Sequence, residues 1–104
     1  MTVIITKTIR DPFFDITGLN NSYYWSAGDF EEANVVIDQR AGTLGTPVFE
    51  WEESFDGQDW DLVFVVTIGT PTGQKQMAAP RQRIILTTAG GAGSRVSIKI
   101  RMRR

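Results

Sequence analysis

The sequence predicts an all-β fold: an antiparallel β-sandwich, jelly-roll-like, with seven or eight strands. Three observations lead there. The segment 48–68, VFEWEESFDGQDWDLVFVVTI, alternates in character on both sides of a tight polar turn at Asp56-Gly57. The last segment alternates strictly, with Val96, Ile98, Ile100 and Met102 on one parity and Arg95, Ser97, Lys99, Arg101 and Arg103 on the other. Short apolar runs recur between clusters of Gly, Pro, Asn and Asp, and no segment carries an apolar 3.6-residue period. Successive side chains of a strand point to opposite faces, so each such run has one face to bury.

The candidate strands are 2–9, 22–27, 33–40, 47–55, 60–68, 81–89 and 94–103, with a short piece at 13–17 as the optional eighth. Turn chemistry separates them at 18–21, 27–29, 42–45, 56–57, 69–73 and 90–93. Residues 30–33 allow one helical turn at most. In the second strand Tyr23, Tyr24 and Trp25 are consecutive, so they cannot all face inward; either Tyr24 or the Tyr23/Trp25 pair is exposed. In the fourth strand Phe49, Trp51 and Phe55 share one parity and Glu50 and Glu52 the other. In the fifth Trp60, Leu62, Phe64, Val66 and Ile68 share a parity. This predicts that Trp51 and Trp60 are buried on the two arms of a central hairpin. Residues 69–80, GTPTGQKQMAAP, hold two glycines and two prolines and predict an irregular loop, either a flexible surface loop or one that contacts a partner, with Lys75 and Met77 as the candidate contacts.

At 104 residues the chain is one domain, 1–104, large enough to bury roughly two-thirds of its unfolded surface. It has no cysteine, which removes disulfides and thiolate chemistry, and no histidine, the commonest general base and metal ligand. Residues 1–10 are too poor in apolar side chains for a signal peptide or membrane span, which predicts synthesis in a cytoplasm. The charge is lopsided. All 12 acidic residues lie within 1–61 beside only Lys7, Arg10 and Arg40, whereas 62–104 holds eight basic residues and no acid. Such halves can pair inside one fold or present a dipolar surface.

No catalytic constellation stands out. Glu52 and Glu53 are adjacent on a strand and point to opposite faces. Glu50 and Glu52 share a face at about 6.6 Å, as does every i, i+2 pair of a strand, so the spacing carries no glycosidase signal. Asp56, Asp59 and Asp61 miss the calcium-loop pattern, and Asp56 fits a turn cap better. Gly69–Lys75 and Gly90–Gly93 lack the spacing and the following helix of a phosphate loop. The basic stripe Arg95, Lys99, Arg101 and Arg103 lacks interleaved aromatics, which argues against nucleic acid and leaves a solvated face partly neutralised by cross-strand acids, or an acidic protein partner. Tyr24 with its aromatic neighbours is a candidate sugar-stacking or partner surface. No cofactor, metal site or enzyme activity is predicted.

The order of signals carries a resemblance. A strand with Glu50-Trp51-Glu52 leads into Ser54-Phe55-Asp56-Gly57-Gln58-Asp59-Trp60, and an apolar strand follows. A Gly/Pro loop then precedes Ala79-Pro80-Arg81-Gln82-Arg83-Ile84-Ile85, and an alternating strand ends the chain. This resembles the small β-sandwich structural proteins of tailed-bacteriophage virions, of the decoration or cement type, over about the last sixty residues. The resemblance implies a non-enzymatic virion protein on the head exterior, made in the host cytoplasm. Its partner would be the major capsid protein, with self-association as a dimer or trimer on the particle and no membrane. Its contacts would come from Tyr24, Lys75, Met77, Arg95, Lys99, Arg101 and Arg103. The alternative is a carbohydrate-binding or tail-associated adhesion module.

Overall fold

The computed structural model describes residues 7–15, 22–41, 47–88 and 95–104, with side chains described for 22–38, 47–88 and 96–104. Among the described residues eight strands form: β1 (Lys7–Asp15), β2 (Ser22–Ser26), β3 (Glu32–Ala41), β4 (Val48–Ser54), β5 (Asp61–Val66), β6 (Lys75–Gln76), β7 (Arg81–Thr88) and β8 (Arg95–Arg103). They make two four-stranded sheets, ordered β1-β8-β3-β6 and β2-β7-β4-β5, with every pairing antiparallel. Apart from the β4–β5 hairpin, successive strands alternate between the sheets. That winding is the eight-stranded jelly roll. The predicted turns at 18–21, 42–45 and 90–93, the strand start at 2–6 and the end of the 13–17 piece lie outside the described residues.

Both sheets bury one face against the other. The first contributes Val35, Ile37, Val96, Ile98, Ile100 and Met102, and the second Trp25, Phe49, Trp51, Val66, Ile84 and Leu86. β8 is flanked by β1 and β3, so its strict alternation becomes a fully buried row facing the core. Gln82 is a fully buried polar residue of the second sheet. Its Oε1 accepts the Trp51 indole N–H at 2.7 Å, while its amide donates to Ala79 O and Glu53 Oε1 at 2.7 and 3.1 Å. A buried amide satisfied on both ends carries little desolvation cost.

The structure departs from the sequence expectation in two places. The first is the face of the β5 arm. Trp51 lies opposite Phe64, but Glu52 lies opposite Leu62, so Val63 is an extra residue in the ladder. A bulge of this kind inverts the alternation of everything before it. Val63 packs against the core, Leu62 turns out and is 57% exposed, and Trp60 leaves the interior for the outer face. Phe55 is likewise out, at 72% exposed, because β4 ends at Ser54 and the chain turns away.

The second correction concerns 69–80, which is not a free loop. Gly69 N–H donates to Ile37 O at 2.7 Å, Thr72 N–H to Val35 O at 2.9 Å and Met77 N–H to Glu31 O at 2.8 Å. Val35 N–H returns a bond to Thr72 Oγ1 at 3.0 Å, and Lys75–Gln76 pair with β3 as the edge strand β6. Thr72, Met77 and Ala79 are buried. The segment runs along β3 and closes the first sheet. Met77 is therefore a core residue, not a partner contact. Limited trypsin digestion should spare Lys75, because its backbone is paired and it is only half-exposed. A first cut at Lys75 in the native protein would contradict the docking of this segment.

Candidate interaction surfaces

The 54–60 turn is built by its own polar side chains. Asp56 Oδ1 accepts the amides of Gln58 and Asp59 at 2.8 and 2.9 Å and the Ser54 hydroxyl at 3.0 Å. Ser54 Oγ accepts Gly57 N–H at 2.8 Å. Gly57 sits at φ 80°, a conformation that costs glycine little. The Asp59 and Gln58 amides and the Ser54 hydroxyl hold the Asp56 carboxyl down to about 2, from 3.8. A depressed acid stabilises the fold above its unfolded value, and that contribution fades as pH falls from 3.8 towards about 2. Asp56→Asn should flatten the acid limb of a denaturation-midpoint-versus-pH curve in that window. An acid limb identical to wild type would remove Asp56 from the account.

The outer face of the β2-β7-β4-β5 sheet is the richest surface. One row across it reads Tyr24, Arg83, Glu52, Leu62, and the next Ser22, Ile85, Glu50, Val65. Arg83 donates from Nε and Nη2 to Glu52 Oε1 at 2.7 and 2.6 Å. Its guanidinium also lies 4.1 Å from the centre of the Trp60 ring, which meets Tyr24 edge-on at 5.9 Å. The ion pair thus fixes the cation on which Trp60 rests. Burial, the hydrogen bond to Glu52 and the neighbouring Glu52 charge push the Glu50 carboxyl up. Tyr24, Leu62 and Val65 are exposed on this face, so the alternative with Tyr24 outward and Trp25 inward is the one realised. Phe64 is exposed at the β5 edge, with Lys75 Nζ 4.4 Å from its ring centre.

Beside Trp60 the surface dips into a cleft of about 550 Å³ lined by Tyr24, Trp25, Phe55, Trp60, Pro80 and Arg81 among others. The cleft was illegible in the sequence, because it needs the Val63 bulge and the β2–β7 register together.

The opposite sheet carries the basic stripe. Arg101 is exposed and Lys99 half-exposed, and together with Asn34, Val36 and Pro71 they line a shallow depression. Neither cation has an ion pair among the described residues. Arg103 does: it binds Glu32 at 2.7 Å, and Arg104 binds Asp29 at 2.7 Å. Arg95 pairs through its backbone with Asp15 and Ala41, and its side chain lies outside the described residues. The structure therefore places Lys99 and Arg101 together, engages Arg103, puts Lys75 at the β6 edge, and sets Tyr24 on the other sheet. Among the described residues no three or more acidic side chains gather as a metal site.

No protein-family model and no curated protein matches the chain. Among solved structures, the crystal structure of SPBc2 prophage-derived protein YomS is similar with a TM-score of 0.60, at 10% sequence identity, over 100% of this chain and 99% of that one. At that identity the likeness is one of fold, and it spans the whole sandwich.

Proposed function

We propose that this chain is a non-enzymatic structural protein of a phage particle, a decoration or cement protein that docks on the outside of the major capsid shell and stabilises it. The observation that carries the reading is the outer face of the β2-β7-β4-β5 sheet. Tyr24, Phe55, Leu62 and Val65 are exposed there around a fixed Arg83–Glu52 pair. Large apolar and aromatic groups around an engaged charge pair are the anatomy of a protein interface. The fold shared with a prophage-derived protein and the Ser54–Trp60 and Pro80–Ile85 segments support the phage setting. The opposite sheet offers Lys99 and Arg101 to an acidic surface of the shell or of a neighbouring copy in a dimer or trimer. The adhesion alternative rests on the exposed Tyr24 ring beside Trp60.

The test is co-sedimentation of the purified chain with heads stripped of accessory proteins, across a salt series. Lys99→Glu with Arg101→Glu should cut attachment and leave the fold intact, because both side chains face away from the core. Attachment through them should also weaken with salt, since exposed charges are screened over about 8 Å at physiological ionic strength. Binding to no head at any salt would remove the shell reading. Salt-insensitive binding, unchanged by the double substitution, would move the whole contact to the aromatic sheet face.

A further inference from the structure

The cleft beside Trp60 holds, behind its aromatic walls, an unpaired cation and an orphaned donor. Arg81 is exposed and has no ion pair among the described residues. Its stem is laid along the Asp56-Gly57 turn, since a Cβ at Gly57 would stand 3.4 Å from Arg81 Cδ and 3.5 Å from Nε. Trp25 lines the same cleft, is 8% exposed, and its indole N–H is buried with no partner. An orphaned buried donor is uncommon in a folded protein and points to a missing acceptor.

Part of the acceptor capacity nearby is already engaged. Gln82 gives its oxygen to Trp51, Asp56 gives Oδ1 to its own turn, and Ser26 Oγ accepts Gly28 N–H at 3.2 Å. The second arginine of the region, Arg83, is held by Glu52 and Trp60. The walls are Tyr24, Phe55, Trp60 and Pro80, with Tyr24 59% and Phe55 72% exposed. At about 550 Å³ the space suits a few side chains rather than a lone ion.

We propose that this cleft is a docking site for an acidic–apolar peptide segment of a protein partner, a Glu or Asp flanked by a large apolar residue. Arg81 takes the carboxylate, while Tyr24, Phe55 and Trp60 enclose the apolar neighbour. The proposal rests on the shell-docking reading and names the chemistry the shell would present. Two other occupants fit less well. A neutral sugar leaves the Arg81 cation without a counter-charge. A nucleic-acid strand needs a track of cations, whereas Arg81 stands alone and the exposed Asp59 and Asp61 flank Trp60 in sequence.

The experiment uses the isolated chain and blocked tripeptides. Acetyl-Phe-Glu-Leu-amide and acetyl-Leu-Asp-Phe-amide are titrated beside their Gln and Asn counterparts and a glucuronic-acid disaccharide. The readout is the indole N–H resonances of Trp25, Trp51 and Trp60. The acidic peptides should shift Trp25 and Trp60 saturably and leave Trp51 in place. The neutral peptides should bind about tenfold more weakly, the scale of one charge-assisted hydrogen-bonded contact. Arg81→Gln, with unchanged circular dichroism and denaturation midpoint, should bring the acidic peptides down to the neutral ones. Equal binding of acidic and neutral peptides, indifference to Arg81→Gln, or no shift at millimolar peptide overturns the proposal. A saturable shift with the disaccharide alone makes the cleft a sugar site. Peptide binding without attachment to heads would sink the shell reading only, and attachment without peptide binding would sink the cleft only.

Discussion

Trp51→Ala should lower the unfolding free energy by about 3–5 kcal/mol, a large part of the roughly 5–15 kcal/mol typical of such a domain. Trp51 is fully buried, its ring centre lies 5.9 Å from that of Trp25, and its indole N–H satisfies Gln82 Oε1. The substitution leaves a cavity and also an unpaired buried acceptor, which adds to the transfer term. Trp60→Ala should cost only about 1–2 kcal/mol. It loses a cation–π contact with Arg83 and an edge contact with Tyr24 at a half-exposed site, and creates no internal void. Chemical denaturation of the two variants side by side checks the difference. Equal losses would mean that both rings are in the core and that the Val63 bulge is misplaced.

That contrast marks where the sequence could be read and where it could not. β8 was legible because its alternation is unbroken and its two neighbours bury the whole apolar row. That the Tyr23-Tyr24-Trp25 run puts an aromatic outside was legible, because three successive aromatics exceed what one face can hold; that it is Tyr24 came from the β2–β7 register. Counting parity fails at Val63, since a bulge is a property of the β4–β5 ladder and no residue in Asp61–Val66 announces it. One extra residue was enough to move Trp60 and Leu62 from the predicted core to the predicted outside. The docked segment 69–80 failed for another reason. Its contacts are mostly backbone amides to β3 carbonyls, which any residue but proline can make, so composition is silent about them. The Arg83–Glu52–Trp60 stack and the cleft required cross-strand register between strands far apart in sequence.

Glu53 is the residue whose role was least visible and whose loss should travel furthest. On strand parity it faces inward at the end of β4, opposite Gln82. Its Oε1 accepts Ala78 N–H at 2.8 Å, Ala79 N–H at 3.2 Å and the Gln82 amide at 3.1 Å. One carboxylate thereby ties the end of the 69–80 segment to the hydrogen-bonded centre of the second sheet. The next link is Pro80 O, which accepts Ala27 N–H at 2.8 Å and leads directly into Arg81. Glu53→Ala should cost about 2–3 kcal/mol, since bonds to a charged acceptor are worth more than neutral ones and three donors lose it together. Glu53→Gln keeps an oxygen in place and should cost about 1 kcal/mol. The distinguishing readout is local. In Glu53→Ala trypsin should now cut first at Lys75, and the acidic peptides should bind Arg81 more weakly because the Pro80–Arg81 anchor has loosened. If Glu53→Ala is destabilised while Lys75 stays protected, the β3–β6 pairing alone holds the segment, and the carboxylate serves only the Gln82 network.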